Sequence, residues 1–178
     1  MKTSKHLYFL FFLFMLLFLF QLPGLLGQNQ NENVRSVNIS ASATVMSSNI
    51  ELETISDMGI VDARNLQEDN VIYINPVFDP EAGIMRARGN PGAQIRVSYL
   101  EEMEVSRREG PGSLYFVYEV SGYAGNNQRE SELLDQIERE LRLNDEGIFY
   151  FFIGGRVDLS QALPGNYDGE FTIEIEYI

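Results

Sequence analysis

Cysteine and tryptophan are absent from this chain, its single histidine is His6, and its only lysines are Lys2 and Lys5. Each absence removes a chemistry. With no cysteine there is no disulfide and no lipid-modified N-terminal cysteine, so stability rests on the core and on backbone pairing alone. Beyond residue 6 neither a Ser-His-Asp nor a Cys-His arrangement can be assembled, nor a zinc site of the usual nitrogen and sulfur ligands. The same span, having no lysine, forms no Schiff base and no Ser-Lys dyad. A carboxylate pair of the glycosidase kind is what remains. Glu101, Glu102 and Glu104 are candidates, but three clustered acids read as a solvated loop, and no catalytic residue is assigned.

Phosphate and metal sites fare no better. "GNPGAQ" (89–94) and "GPGS" (110–113) lack the glycine spacings that cradle phosphate and read as turns. Asn144, Asp145, Glu146, Asn166 and Asp168 offer oxygen ligands of the kind calcium takes, without EF-hand spacing, and turn chemistry accounts for Asn, Asp and Gly there. The sequence therefore assigns no cofactor and no metal. Asn38 heads a glycosylation triplet that reads as chance in a strand.

What is present begins with "MKTSKHLYFLFFLFMLLFLF", in which Lys2, Lys5 and His6 precede the apolar run Leu7 to Phe20. That is the layout of a secretory signal peptide, with Pro23 and Gly24 breaking the run and Gly27 as the small residue before the cut. An uncleaved anchor is the rival reading, since about 20 apolar residues span a bilayer. Cleavage after Gly27 leaves 11 basic residues, all arginine, against 26 acidic ones, a net charge of −15 (11 minus 26). Such a surface repels nucleic acid and anionic membranes, so neither is expected as a partner once the signal is gone. The expected location is extracytoplasmic: secreted, periplasmic or cell surface. "QNQNENVR" (28–35) reads as a flexible polar leader, and residues 36–178 as a single domain.

Within that domain the dominant rhythm is period two. Val37, Ile39, Ala41, Ala43 and Val45 alternate with polar residues, as do Ile95, Val97 and Tyr99, then Leu114, Phe116, Tyr118 and Val120, and finally Phe171, Ile173, Ile175 and Tyr177. Shorter runs at 50–55, 58–61 and 71–78 are predicted strands, and "IFYFFI" (148–153), apolar on both faces, is a central one. Turn residues punctuate the runs, and many short strands at this spacing predict an antiparallel β-sandwich. One stretch departs: "RESELLDQIERELRL" (129–143) sets Leu133, Leu134, Ile137 and Leu141 at helical spacing, predicting a short inserted helix. Pro164-Gly165 predicts a type II turn, and Tyr167 behind it a tyrosine corner, whose phenol bonds back to upstream backbone.

Three blocks, "NISASATVMSSNIELETISDMGIV", "AGIMRARGNPGAQIRVSY" and "LNDEGIFYFFIGGRVDLSQALPGNYDGEFTIEIEY", resemble in order those of the bacterial exported domain of unknown function 4402. That family is similar to the spore coat protein U domain and, more remotely, to fimbrial subunits. The resemblance implies an immunoglobulin-like Greek-key sandwich at a bacterial surface and brings no catalytic residues. The function expected is non-enzymatic, a structural or adhesive surface module. Its partners would be other surface proteins or further copies joined by strand complementation, with "VNISASATV" as the donated strand. But residues 37–45 belong to the first block itself, so 37–45 and 169–177 are expected to pair inside one chain that folds alone. The alternative is a carbohydrate- or ligand-binding module using loops at one end, with Tyr73, Tyr99, Tyr115, Tyr118 and Tyr123 as stacking faces. The processing site is directly testable: secreted material has the intact mass of a chain starting at Gln28, and a mass retaining residues 1–27 refutes the assignment.

Overall fold

The computed structural model describes residues 35–45, 50–62, 70–134 and 139–178. The signal peptide expected over 1–27 lies outside the described residues, as does the expected leader except for Arg35. Arg35 belongs to the first strand.

Every long apolar alternation becomes a strand, because burying one face of a pleated segment requires neighbours for its backbone groups. The strands are β1 (Arg35–Val45), β2 (Glu51–Ser56), β3 (Met58–Asp62), β4 (Val71–Ile74), β5 (Gly83–Arg88), β6 (Gln94–Tyr99), β7 (Glu102–Arg107), β8 (Ser113–Tyr123), β9 (Glu132–Leu133), β10 (Arg139–Arg142), β11 (Ile148–Asp158) and β12 (Gly165–Tyr177). The fold is all-β, one large sheet of mixed pairing.

Its pairing runs in a ring. β1 pairs with β3, β2 with β5, β5 with β11, β11 with β8, β8 with β7, β7 with β12, and β12 with β1. The ring closes because β2 and β3 are one segment broken only at Asp57, its first half facing β5 and its second half β1. At that crossing Ala41 of β1 has passed beyond the register with β3. Side chains take over: the Ala41 N–H donates to the Asp57 carboxylate (3.3 Å), and the Thr54 hydroxyl donates to the Ala41 carbonyl (3.0 Å). The result is a barrel-like sheet.

Two expectations need correction. The sheet is not purely antiparallel, since β1 and β12 run parallel from Arg35↔Gly165 to Val45↔Ile175. Parallel neighbours need a long connection, and here the whole intervening domain supplies it. Nor do the described residues of 129–143 form an α-helix. A 3-10 turn (Gln128–Glu130) is followed by β9 against β8 and β10 against β6. Unpaired sheet edges offered this segment backbone partners, and tertiary pairing overrode its helical spacing. Leu134 and Leu143 reach the core while Leu133 stays exposed; Ile137 lies outside the described residues.

Three long strands each change partners along one edge. β11 pairs first with β5 and then with β4, β12 with β7 and then β6, and β8 with β7 and then β9. In β11 the change falls at Gly154-Gly155. Gly155 has φ 143°, and a Cβ there would stand 2.2 Å from the Val117 carbonyl oxygen, so no other residue fits. The IFYFFI segment is central as predicted, with Phe149, Phe151, Phe152 and Ile153 all buried. Across the core, Phe116 and Tyr118 stack at 4.7 Å, Tyr118 and Phe171 at 4.8 Å, and Phe171 and Tyr99 at 5.8 Å. This aromatic chain ties β8 to β12 and β6.

Tyr167 is a tyrosine corner: 1% exposed, its hydroxyl donates to the Leu163 carbonyl at 3.0 Å. The turn before it differs from the expected type II form, because Gly165, at φ 144°, already opens β12. Tyr118 is the opposite case, with its hydroxyl buried and without a hydrogen-bond partner among the described residues. Burial alone pushes its phenol pKa upward. The two hydroxyls therefore have opposite effects on stability. Tyr167→Phe lowers it by about 1–3 kcal/mol by orphaning a carbonyl, whereas Tyr118→Phe raises it by about 1 kcal/mol by removing an unsatisfied buried group. Urea midpoints of the two variants check both signs.

Candidate functional site

Two surfaces present themselves: the parallel seam between the terminal strands and the outer face of β4, β11, β8 and β7. At the seam, the inward face of β12 carries Phe171, Ile173 and Ile175, each at most 1% exposed, while Val37 and Ile39 fill the same layer from β1. Outward, Ser42 and Thr172 hydroxyls meet at 3.1 Å, and the Ser36 hydroxyl donates to Asn166 (2.7 Å). The segment weighed as a donated strand is thus seated beside β12 of its own chain, the pairing expected for it.

Also at the seam, Asp168 binds Arg108 in a two-pronged pair, 2.7 Å to Nε and 3.0 Å to Nη2. The Arg108 hydrogen bonds, with help from Asn38, hold the Asp168 carboxyl below its ordinary value of 3.8. Asn38, the glycosylation-triplet residue, is the register partner of Asp168 in this strand pair.

On the outer face, one row crosses four strands: Tyr73 of β4 beside Arg156 of β11, then Val117 of β8, then Glu102 of β7. Tyr115 (62% exposed) pairs with Glu104, and Tyr73 (48% exposed) donates its hydroxyl to Glu119 at 2.8 Å. Burial first and that hydrogen bond second push the Tyr73 phenol up to about 12. Val71 and Phe78 add exposed apolar surface nearby in sequence; neither was singled out from the sequence, although Val71 shares the alternation of Tyr73.

The five tyrosines proposed as stacking faces therefore separate. Tyr73 and Tyr115 are exposed, but on a sheet face rather than at loops. Tyr118 is core, Tyr99 is half-buried with its hydroxyl on the Leu134 carbonyl (3.1 Å), and Tyr123 bonds Glu130. The acids read as a solvated loop are corrected in part: Glu102 and Glu104 lie in β7, exposed, with Val105 buried in the core. The Asn144 side chain accepts from the Glu146 and Ile148 amides at 2.9 and 2.8 Å, an Asx turn into Gly147. Among the described residues, no group of three or more acidic or histidine side chains is placed to hold a metal ion. A shallow cavity of about 250 Å³ lies against Ser98, Tyr99, Leu100, Thr172 and Glu174. Among the described residues, no helix is long and apolar enough to cross a membrane.

No family model matches this chain, and no curated protein matches it either.

The Arg108–Asp168 pair carries a pH signature. A carboxylate whose folded pKa lies below 3.8 contributes stability above 3.8 and loses it as pH falls through the lower folded value. Both partners are largely exposed, so the effect is small and salt-screened. Arg108→Gln lowers the urea midpoint slightly at pH 7, and the difference fades below pH 3.8 and in molar salt. A difference that persists under both conditions refutes the ion-pair account.

Proposed function

We propose that this protein is a non-enzymatic, exported structural or adhesive module of the cell surface, a relative of the exported domains its three blocks resemble. The observation that carries the reading is the seam. The first strand pairs beside the last one in the same chain, which supports a domain that takes no strand from another molecule. Export, deduced from the apolar leader, agrees with stability built entirely from sheet and core. The tyrosine corner supports deriving the barrel-like sheet from an immunoglobulin-like Greek key. An acidic exterior suits a solvated surface protein. The test is assembly state. Expressed from Gln28 without partners, the protein sediments as a monomer, and its melting temperature is unchanged over about a hundredfold range of concentration. Aggregates dissolved by adding a peptide of residues 36–46, or ladders on unheated gels, make it a fibre subunit instead.

A second reading rests on the exposure of Tyr73 and Tyr115 on one sheet face, a platform on which sugar rings could stack. Under it, the protein gives a reproducible signal on a glycan array, and Tyr115→Ala abolishes that signal without moving the melting temperature. An array without signal leaves the tyrosine face as plain surface.

A further inference from the structure

Two arginines, Arg35 and Arg107, flank Gly165 at the end of the barrel where β1 and β12 begin. Arg107, the last residue of β7, is the register partner of Tyr167, so its side chain shares the inward face of β12. There it lies across Gly165: a Cβ built on Gly165 would stand 2.7 Å from Arg107 Nε. The β7–β8 turn wraps the same side chain. Cβ positions on Gly110 and Gly112 fall 3.4 Å from Arg107 Nη1 and 3.6 Å from its Cδ, and the Arg107 amide donates to the Gly112 carbonyl at 2.9 Å. On the other side of Gly165, Arg35 of β1 is its parallel register partner and therefore points to the same face. The Arg35 Nη1 donates to the Leu159 carbonyl at 3.2 Å.

Both arginines are half-buried, and the Nε of each is covered without a hydrogen-bond partner among the described residues. Among the described residues neither arginine forms an ion pair. The acid closest in sequence on β12, Asp168, is one residue out of phase with this face and is fully engaged by Arg108. Half-buried arginines whose covered Nε groups lack hydrogen-bond partners among the described residues are costly unless something negative joins them. Planar guanidinium forks suit carboxylate, sulfate and phosphate oxygens. Local cationic focusing persists in a protein of opposite overall charge.

We propose that Arg35 and Arg107, on either side of Gly165, form a binding site for an oxyanion group. The group is carried either by a free anion or by an acidic saccharide. The site is independent of the surface-module reading, since it uses neither the outer tyrosine face nor assembly between copies.

The test is titration of the 15N-labelled secreted chain with sodium sulfate, sodium chloride of equal ionic strength serving as reference. Saturable shifts are expected at the Gly110, Gly112 and Gly165 amides and at the Arg35 and Arg107 Nε–H resonances. Arg35→Gln and Arg107→Gln each weaken the affinity about tenfold or more, the loss of one charge-assisted contact. Arg108→Gln leaves it unchanged. A sulfated disaccharide binding more tightly than sulfate identifies a saccharide source, whereas equal affinity identifies a free anion. Should either glutamine variant fail to fold, the wild-type shifts decide alone. Shifts that are linear, scattered over the surface or matched by chloride overturn the proposal, as does binding that survives in a folded Arg107→Gln variant.

Discussion

β12 is flanked on both sides only because β1 lies along it. On its other side β7 and β6 take successive halves, so the removal of β1 would open an edge eleven residues long. The same removal would unpair β3 and expose the layer containing Val37 and Ile39. An apolar edge of that length is the template on which chains aggregate. Since the chain has no disulfide and no histidine beyond residue 6, no covalent or zinc staple could substitute. Integrity of the sheet, solubility of the protein and burial of its C-terminal strand thus depend on one run of backbone hydrogen bonds.

Closure of the ring imposes a second demand, met by small local devices. The segment from Glu51 to Asp62 has to leave β5 and reach β1, and Asp57 and Thr54 satisfy the Ala41 backbone where no strand does. The exchange of β5 for β4 along β11 needs the bare Cα atoms of Gly154 and Gly155, which meet the Ile74 and Val117 carbonyls too closely for any side chain. Elsewhere the partner changes occur where a short strand simply ends. A closed ring is therefore compatible with strands as short as two residues, because each borrows its register from a long neighbour.

The long alternations were legible in the sequence because a half-buried strand prints its face directly: Leu114, Phe116, Tyr118 and Val120 are all core. The tyrosine corner was legible for a similar reason, since Pro164-Gly165 ahead of Tyr167 restricts the chain locally. β7 was not, because its charged residues outnumber Met103 and Val105 and mimic a loop. The segment 129–143 misled in the other direction. Its leucines fall at helical intervals, yet the buried Ser131 hydroxyl bonds that of Ser121 at 2.8 Å and commits the chain to the β8 edge. Parallel pairing of the termini cannot be read from either strand alone, since both alternate identically in either orientation. Arg35 and Arg107 are 72 positions apart in sequence, and only the register of β1 and β7 against β12 brings them to one face. The one local hint was a basic pair, Arg107-Arg108, beside Gly110-Pro111-Gly112 in an acidic chain.

Parallel terminal strands also fix how the domain bears load. Arg35 lies beside the start of β12, while Ile178 follows its far end, so opposed tension applied at Arg35 and at Ile178 runs along the strands. The hydrogen bonds of the seam lie across that direction and share the force together, rather than parting one at a time as in a hairpin pulled open. Force applied across these two points is resisted by shear, and the first rupture has to break the whole seam at once.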